Sequence, residues 1–519
     1  MNKQIEAVLK TLNWSAPIHT KNEIHIEAKP NNVFWDCWRE HKKQMLSANI
    51  RVIKRDDQFV IIKHGTIQSQ TMLNTEKLNY EHLLKPHQIE HVKNLKKTIL
   101  KYNGAIDASQ TGTGKTYAGI VLSKELNFPI FVICPKAVIP PWKETCKITN
   151  TPVIDVINYE AFVGGRKTTN ERYSHRWAEP YKGKYNQDRF KILVPKNSLI
   201  IFDEAHRLSR SSTLSFKLFQ SFYEQGYTIL LSSATLADSP LKMAAPCLVA
   251  KIIDKTSNFM PWAMNHGVKR GRDGEYFFKT GTELSNEYIR VIHKQFFPER
   301  GSRMIKDSSF MKTQIIAESY FTKNKDNINH IYEELKIKLK DIPDEKGKLI
   351  ARLRARQMVE LDKVPIFCEL GKDFIEEGNS VVIFVNFKET VAQLAKKFKT
   401  NSVIEGGQNS EERQKIIDDF QHGRSRIIIC NIKAGGVGIN LHDEYGNFPR
   451  VSLISPTDNA TDFKQALGRI DRSGSKSCSE QRVIFAAETI EDKIRTNLQH
   501  KLEIIDGING ISNDDFMVL

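Results

Sequence analysis

The sequence has little of what marks a secreted or membrane-spanning protein. Its seven cysteines are scattered singly, with no C-x-x-C pair, which argues against a disulfide framework and against a zinc site. No stretch approaches the roughly 20 apolar residues of a membrane span, and the opening MNKQIEAVLKTLNW lacks the apolar core of a signal peptide. Internal repeats and low-complexity tracts are missing as well. We therefore expect an intracellular, monomeric protein that binds neither zinc nor a membrane.

Positive charge, by contrast, is in excess. The formal net charge is +16 at pH 7 over 519 residues. Because Lys and Arg contacts with phosphates release counterions, such an excess favours a polyanionic partner. A basic surface that serves only solubility would give the same total, and the charge alone does not separate the two. The length fits two to four domains, since one core rarely grows beyond about 250–300 residues.

The stretch GAIDASQTGTGKT, which begins at Gly104, has the pattern of a phosphate-binding loop. A short apolar run typical of a buried strand leads into a loop with Gly112 and Gly114, and a helix is predicted to begin near Lys115. Loop N–H groups and the positive end of a helix dipole together attract an anion. Lys115 can then reach the β- and γ-phosphates of a nucleotide, and the Thr116 hydroxyl can ligate Mg²⁺.

Two acidic residues end the apolar run of SLIIFDEAH (198–206). A buried strand seldom ends in adjacent acids for structural reasons alone. Downstream of a phosphate loop, Asp203 would hold the Mg²⁺, and Glu204 would orient and deprotonate the attacking water. Ser233 and Thr235 follow the next apolar strand, where their hydroxyl groups could sense the γ-phosphate.

A third element, QALGRIDRSGSK (465–476), carries two arginines. On one continuous helix, Gln465, Arg469 and Arg472 would form a single stripe, because they are spaced at i, i+4 and i+7. Such a stripe can place two guanidinium groups against a phosphate across a cleft between domains, as arginine fingers do. A salt-bridged surface helix is the alternative.

Strands and helices alternate along two parts of the chain, which is typical of parallel α/β sheets. The pattern predicts a small α+β accessory domain at 1–80, an α/β ATPase domain at 81–240, a helical insertion at 241–365 and a second α/β domain at 366–519. Five or six parallel strands are expected in the first α/β domain. Trp35 and Trp38 of the accessory domain share a helix face and are expected in its core.

Two stretches mix cations with aromatic rings, GGRKTTNERYSHRWAEPYKGKYNQDRFK (164–191) and MPWAMNHGVKRGRDGEYFFK (260–279). In a loop that grips a nucleic-acid strand, cations contact phosphates and rings stack on bases. For the first stretch, a solvated insertion with a few anchoring rings is an equally good interpretation, and the sequence leaves both open.

Taken together, the motifs resemble those of superfamily 2 helicase-type ATPases. HQ at 87–88, SQTGTGKT, DEAH and SAT are similar to the family's Q motif and motifs I, II and III, while PKAVIPPW and VINYEAF resemble the motif Ia and Ib regions. EGGQNSEERQKIIDDF, AGGVGINL, QALGRIDRSGSK and ETIEDKI are most similar to the Swi/Snf-type DNA translocases. The resemblance covers roughly residues 81–500 in the family's motif order, and a viral or phage member would fit.

The resemblance implies two tandem RecA-like parallel-sheet domains, with ATP and Mg²⁺ in the cleft between them. Catalytic roles are implied for Lys115, Glu204, Arg469 and Arg472. Metal ligands are implied at Thr116 and Asp203. Nucleotide contacts are implied for Gln88 (to adenine), Gln110, Thr111, Gly112, Thr113, Gly114, Lys115, Thr116, Asp203, Gly438 and Gln465. Nucleic-acid contacts are implied for Lys136, Tyr159, Asn386, Phe387, Lys433, Gly435 and Gly436.

By the same resemblance we expect an ATP-dependent double-stranded DNA translocase that remodels or branch-migrates DNA, as DNA repair and recombination require. It would bind DNA without reading its sequence, because contacts to phosphates carry no sequence information. An RNA helicase or a strand-separating DNA helicase is the first alternative, since the DEAH string also occurs there. A nucleic-acid-binding scaffold that has lost hydrolysis is the second. A viral or phage member would work in the host cytoplasm.

Some residues depart from the Swi/Snf pattern. Asp107, Ala108, Ser109 and Gln110 replace the aspartate, glutamate, methionine and glycine that lead into motif I. Ser109 thereby stands where the first glycine of a phosphate loop is usual, although the later glycines keep the backbone freedom around the phosphates. The SAT motif is also nearer the general helicase form, so the subfamily stays open.

Overall fold

The computed structural model describes most of the chain. The described residues are 12, 18–19, 24–47, 50–55, 58–65, 77–163, 166–168, 171–172, 176–183, 187–272, 274–306, 313–322, 325–342, 345–435, 438–489 and 491–509. Within these residues, no helix is both long and apolar enough to cross a membrane.

An antiparallel sheet and one helix form the N-terminal α+β domain. Its strands lie in the order Ile18–His19, Ile24–Ala28, Gln58–Gly65 and Ile50–Arg55, and its helix spans Asn32–Ser47. Trp35 and Trp38 both pack against Phe34, which is fully buried. Both tryptophans are partly buried, so they pack against the predicted core from its edge rather than lie inside it.

Six parallel strands form the first α/β sheet. In space they follow the order Gly301–Ser302, Gly104–Asp107, Thr228–Ser232, Leu199–Asp203, Ile130–Cys134 and Val153–Asn158. The central strands are apolar because helices cover both faces of the sheet. Ser232 pairs in register with Asp107 on one side and with Asp203 on the other. The three motifs that follow these strands therefore leave the sheet side by side.

The helices and short ladders of this domain surround that sheet. Its helices are Pro86–Tyr102, Lys115–Leu126, Ile139–Ile148, Tyr159–Phe162, Leu214–Glu224, Ala244–Val249, Phe259–Asn265 and Glu283–Phe296. Single 3₁₀ turns lie at Glu81–Leu83, Lys136–Val138, Ala205–Leu208, Pro240–Lys242 and Thr256–Asn258. Antiparallel pairs join Arg166–Thr168 to Glu171–Arg172, Ala178–Lys182 to Asp188–Ile192 and Val268–Arg270 to Tyr276–Phe278.

In the described part of the first aromatic and basic stretch, Ala178 and Phe190 are buried in the first core, and Trp177 and Arg176 add contacts to the domain. Trp177 packs edge-on against Phe131, and its indole N–H donates to Asp155 over 2.9 Å. Arg176 forms an ion pair with the same carboxylate at 2.5 Å. Tyr181, by contrast, is exposed. These contacts agree with an insertion held by a few rings, and they leave Tyr181 available for a partner.

The second α/β sheet also has six parallel strands. Their order is Thr313–Tyr320, Ser479–Ala486, Arg450–Ile454, Ser380–Val385, Ile427–Asn431 and Val403–Ile404. Its helices are Lys325–Asp341, Glu345–Asp362, Val364–Glu376, Lys388–Phe398, Ser410–Gln421, Ile432–Gly435, Ala460–Leu467 and Glu491–Ile508. Two parallel-sheet α/β domains in tandem are the architecture that the sequence predicted.

The connecting segment 241–365 is mainly helical, but it belongs to both sheets. Gly301–Ser302 pairs with the strand Gly104–Asp107, and Thr313–Tyr320 pairs with Ser479–Ala486. The second sheet therefore takes its edge strand from before residue 366, the predicted start of the second domain. The strand 313–320 was missed because it lies at the sheet edge, where its half-buried residues mix polar with apolar side chains.

The final helix, Glu491–Ile508, ties the two domains together. Leu498 and Leu502 pack in the core of the second domain, whereas Ile504 and Ile508 belong to the core of the first. The range 366–519 is consequently not one independent unit. The sequence of the helix shows an apolar stripe, but it does not show that the stripe packs into two different cores.

A buried ion pair holds the start of this helix. The ammonium of Lys363 lies 2.7 and 2.9 Å from the two carboxylate oxygens of Glu491, and the Lys363 side chain is fully buried. Glu491 also accepts from the backbone N–H of Ala486 over 2.7 Å, and Lys363 donates to the Ile484 carbonyl. The pair thus connects the last helix with the strand Ser479–Ala486.

Removing one partner of this pair is expected to destabilise the chain strongly. Glu491→Ala leaves a buried ammonium unpaired, which costs about 3–5 kcal/mol, and should lower the urea midpoint of unfolding measured by circular dichroism. The matched control is Glu299→Ala, whose partner Lys101 is solvent-exposed, and its effect should be far smaller because water screens that pair. Equal shifts in the two variants would contradict the role given to Glu491.

Candidate active site

The phosphate loop has the predicted position between the strand Gly104–Asp107 and the helix Lys115–Leu126. Gly112 and Gly114 have φ of +80° and +92°, in the left-handed region that favours glycine. A Cβ atom at Gly114 would lie 2.2 Å from Nε2 of Gln88, and one at Gly112 would lie 3.1 Å from Cα of Arg472. The backbone conformation and the close neighbours together require glycine at 114.

Gln88 is buried beneath this loop. Its amide nitrogen donates to the carbonyls of Thr113 (3.0 Å) and Gly114 (3.3 Å), and its Oε1 accepts from the N–H of Lys85 (2.8 Å). The side chain that the resemblance assigns to adenine therefore holds the shape of the phosphate loop. Its contact with adenine stays a prediction.

The remaining loop residues are joined by hydrogen bonds within the loop. The Lys115 ammonium donates to the carbonyls of Ser109 (3.0 Å) and Gln110 (3.1 Å), and the Thr113 hydroxyl donates to Gln110 as well (2.8 Å). Thr116 lies in the first turn of the following helix, partly buried. A lysine and a helix N-terminus at one loop fit the phosphates of a nucleotide.

Asp203 lies at the end of its strand, as predicted, and two aromatic residues fix its position. The Trp142 indole N–H donates to Oδ2 of Asp203 (2.9 Å), while the Tyr159 hydroxyl donates to the Asp203 carbonyl (2.9 Å). Sequence reasoning missed Trp142, although its place in PPW of the motif Ia region was a usable signal. Burial and the adjacent Glu204 carboxylate raise the pKa of Asp203.

The donor set fits a divalent cation. A carboxylate carries about four lone-pair sites, so Asp203 keeps acceptor capacity beyond its bonds to Trp142 and to the Glu204 N–H (3.0 Å). Thr116 adds a hydroxyl from across the loop. No group of three or more His, Cys, Asp or Glu side chains converges in the described part of the chain. Mg²⁺ held here would take its other ligands from phosphate and water, as it commonly does.

Glu204 adopts the left-handed conformation, with φ of +54°, directly after the strand. Its Oε2 lies 3.3 Å from Nδ1 of His206 and accepts from Nε2 of Gln465 over 3.0 Å. Burial would raise the pKa of Glu204, but the His206 hydrogen bond and the charges of Lys115 and Arg469 outweigh it and lower that pKa. The carboxylate is therefore ionised at neutral pH, as a group that accepts a proton from water must be.

His206 links this carboxylate to the SAT segment. Its Nδ1 also lies 3.3 Å from the Ser233 hydroxyl, which in turn accepts from the N–H of Thr235 (3.2 Å). Ser233 and Thr235 are fully buried. A change in the position of the Glu204 carboxylate can therefore be passed through His206 to the segment that follows the strand Thr228–Ser232. No role for His206 was predicted from the sequence.

The prediction of one helical stripe for the arginines was wrong. The helix Ala460–Leu467 carries Gln465 but ends before Arg469 and Arg472, and Gly468 is its C-cap. Both arginines bend back so that their Nε atoms donate to the carbonyls of Gln465 (3.0 Å) and Gly468 (3.2 Å).

These arginines nevertheless reach the cleft. Burial lowers the pKa of Arg469 to about 10, while burial and the charge of Arg469 lower that of Arg472 to about 9. Both side chains therefore remain cationic at neutral pH. Arg472 packs on Gly112, and a Cβ atom at Gly468 would lie 2.3 Å from the Thr111 hydroxyl. The second domain thus touches the phosphate loop at two places.

A segment that sequence reasoning did not single out joins the phosphate loop to the arginine turn. The Met304 N–H donates to the Ser109 hydroxyl (2.9 Å), and the Lys306 N–H donates to Oε1 of Gln110 (2.8 Å). The Lys306 ammonium donates to the carbonyl (2.9 Å) and the carboxylate (2.5 Å) of Asp471. Lys306 therefore contacts both sides of the cleft.

The predicted nucleic-acid contacts do not all survive. Tyr159 is buried in the first core and holds Asp203, and Gly435 is packed against Cys430 and Phe384. The Asn386 amide nitrogen is occupied by Glu360 (2.7 Å) and by the Pro456 carbonyl (3.0 Å). Tyr159 and Gly435 are thus fixed by packing rather than presented to a polymer, whereas Asn386 is half-buried and its contact with nucleic acid stays a prediction.

Other predicted contacts stay available. Lys136 and Lys433 are exposed, and Phe387 is partly exposed. Gly436 lies outside the described residues. Gly438 was predicted at the nucleotide, but a Cβ atom there would lie 2.7 Å from Ala137. It therefore faces the motif Ia turn of the first domain rather than the phosphate loop.

Comparison with known proteins adds family matches to this geometry. Residues 81–238 match the family model described as type III restriction enzyme, res subunit. Residues 362–474 match the helicase conserved C-terminal domain. The two matches lie on the two sides of the cleft and include the phosphate loop and the arginine turn.

Three curated proteins show how far the similarity extends. A protein of Acanthamoeba polyphaga mimivirus, provisionally named an ATP-dependent RNA helicase, is 33% identical over 446 residues, which is 82% of this chain and 83% of that protein. The DNA repair and recombination protein RAD54 of Saccharomyces cerevisiae is 24% identical, over 77% of this chain and 52% of its own length. The pre-mRNA-splicing ATP-dependent RNA helicase PRP28 of Debaryomyces hansenii is 33% identical, over 23% of this chain and 20% of its own.

Replacing Lys306 tests whether its bridge supports turnover. A charge-assisted hydrogen bond is worth roughly 1.5–3 kcal/mol. If Lys306→Met loses that stabilisation only in the closed cleft, ATP turnover should fall roughly 10- to 100-fold, while binding of a fluorescent nucleotide stays close to wild type. Lys101→Met, which removes an exposed pairing partner of Glu299, is the control. Undiminished turnover in Lys306→Met would show that the bridge has no part in closure.

Proposed function

We propose that this chain, which belongs to the superfamily 2 helicase-type ATPases, uses ATP hydrolysis to move along double-stranded DNA and to remodel or migrate branched DNA. The ATPase part is supported by one contact above all. Nε2 of Gln465 reaches Oε2 of Glu204 over 3.0 Å, from the second domain to the first. The set of contacts around the Glu204 carboxylate is therefore complete only when the two domains meet.

Each residue of the cleft has a distinct task in this proposal. The phosphate loop and Lys115 bind the nucleotide's phosphates, and Asp203 with Thr116 holds the metal ion. Bound ATP with Mg²⁺ supplies the phosphoryl group and neutralises part of its charge. Glu204 orients water and accepts its proton. Arg469 and Arg472 face the charge that develops on the phosphate.

Movement would follow from the way the site is divided between domains. Closure brings Gln465 and the two arginines to Glu204 and the phosphate loop. Hydrolysis removes the γ-phosphate that the closed cleft binds, so the domains can separate again. The exposed Lys136 lies beside Ala137, which contacts Gly438 across the cleft. If each domain binds the phosphates of the DNA backbone alternately, every cycle of closure would move the protein along that backbone.

DNA as the track is supported by the extent of the sequence relationships. RAD54, named a DNA repair and recombination protein, aligns over 487 residues, whereas PRP28, named an RNA helicase, aligns over 130. An alignment that includes both domains and the cleft bears on the whole motor, while a short one bears on a fragment. The motifs of the second half favour the same group.

RNA is the second candidate track. The observation in its favour is the provisional name of the mimivirus protein. That protein is 33% identical to this chain, and the alignment includes 82% of this chain and 83% of the mimivirus protein. The two candidates differ in the polymer and agree on the ATPase site, so one activity assay separates them.

The role of Glu204 can be tested by an isosteric change. Glu204→Gln should retain ATP binding but lose turnover by about 10²–10⁴-fold, the usual contribution of a general base. Glu224→Gln, an exposed change on the same domain, should leave turnover unaltered. Phosphate release gives the rate and fluorescent-nucleotide titration gives the affinity. Normal turnover in Glu204→Gln would remove this residue from the role of base.

The choice of polymer is tested by stimulation of steady-state ATPase activity. Duplex DNA, a branched DNA junction, single-stranded DNA and RNA are compared at matched nucleotide concentration and fixed salt, because phosphate contacts are salt-dependent. Lys115→Ala reports any contaminating activity. We expect the strongest stimulation from duplex or branched DNA. Stimulation by RNA alone would replace the proposal with an RNA helicase.

A further inference from the structure

A β-hairpin on the first domain takes no part in the ATP site. Val268–Arg270 pairs with Tyr276–Phe278, with Lys269 opposite Phe277 and Arg270 opposite Tyr276. The Gly271 N–H donates to the Glu275 carbonyl over 2.7 Å, and Gly274 has a φ of +86°. The ladder and this closing hydrogen bond define the hairpin on both sides of residue 273, which lies outside the described residues.

The hairpin is fixed at its base and exposed toward its tip. Val268 is only 3% exposed, and its partner Phe278 packs against the first core. Tyr276 and Phe277, by contrast, are 39% and 46% exposed. The two adjacent rings therefore keep part of their aromatic surface open to a partner.

Cations accompany the two rings. Side chains alternate between the faces of a strand, which places Lys269 with Phe277 on one face and Arg270 with Tyr276 on the other. The Arg270 guanidinium lies 5.9 Å from the centre of the Tyr276 ring. Lys269, Arg270, Arg272 and Lys279 are all exposed. Each ring is thus presented together with a positive charge.

The hairpin lies where the two domains meet. Its strand Tyr276–Phe278 contacts the turn Pro240–Lys242, and Pro240 follows Thr235 of the SAT segment by five residues, a span of at most about 18 Å. On the other side, Gly281 lies against His500 of the final helix, 2.6 Å from a Cβ atom built at Gly281. The hairpin therefore lies between the turn that follows the SAT segment and the final helix that both cores share.

We propose that this hairpin binds an unpaired DNA strand at a branch point, with one base stacked on Tyr276 and another stacked on Phe277 at the opposite face of the hairpin. Rings paired with cations suit this ligand, because base stacking accepts any base and the cations neutralise the flanking phosphates. The hairpin then gives the motor a preference for branched over continuous DNA. This inference depends on the proposed function for the identity of the polymer.

The test compares a ring-deleting variant with a ring-preserving one in the full-length chain. The double variant Tyr276→Ala and Phe277→Ala is matched by Tyr276→Phe with Phe277→Tyr, which keeps both rings. Phe321→Ala, at another exposed ring (74%), controls for loss of surface aromatics. The probes are a DNA fork with 2-aminopurine in its unpaired arm, the same fork in RNA, and a continuous duplex.

Loss of one stacked base contact corresponds to roughly a 5- to 150-fold weaker affinity. We expect at least about fivefold weaker binding of the DNA fork by the alanine variant, together with loss of 2-aminopurine quenching. The ring-preserving variant and Phe321→Ala should bind as wild type. ATPase stimulation by continuous duplex should be equal in all variants.

Three outcomes would overturn the inference. Unchanged fork binding by the alanine variant would leave the rings to another contact, such as a protein partner. Equal weakening on fork and continuous duplex would make the hairpin a duplex grip. A binding defect seen only with the RNA fork would show that the hairpin binds RNA rather than DNA. Failure of the proposed function is seen separately, as wild-type ATPase activity that no DNA stimulates.

Discussion

The hydrogen bonds that meet at the Glu204 carboxylate are the constraint on which the site depends. His206 approaches from the turn after the strand, and Gln465 approaches from the other domain. Glu204 itself is held in a left-handed conformation, which costs a non-glycine residue on the order of 1–3 kcal/mol. Such a conformation persists where surrounding contacts hold it in place. Here the contacts come from His206 on one side of the cleft and from Gln465 on the other.

The phosphate loop depends on its neighbours in a similar way. Gln88 holds two of its carbonyls from below, and the segment that contains Met304 and Lys306 runs along its other side. The loop is therefore preorganised by residues that lie far from it in sequence. Since Lys306 also binds Asp471 between the two arginines, the shape of the loop and the position of the arginine turn are coupled.

The two domains are joined by more than the nucleotide cleft. The final helix connects them, because Leu498 and Leu502 lie in the core of the second domain while Ile508 is buried in the first core. Opening of the cleft must therefore leave these contacts in place or break apolar packing. The hairpin 268–278 lies close to this shared boundary, so movement at the cleft and contact with a polymer can be linked through the same region.

Local patterns in the sequence were sufficient for the two parallel sheets, the phosphate loop and the acidic pair, because strand runs and glycine turns depend on neighbouring residues. They were insufficient for the arginine stripe, where Gly468 ends the helix, and for Tyr159, whose ring is needed in the core. Trp142, His206 and Lys306 gain their roles from contacts between distant segments. Such contacts arise from chain packing in three dimensions, and spacing along the chain does not encode them.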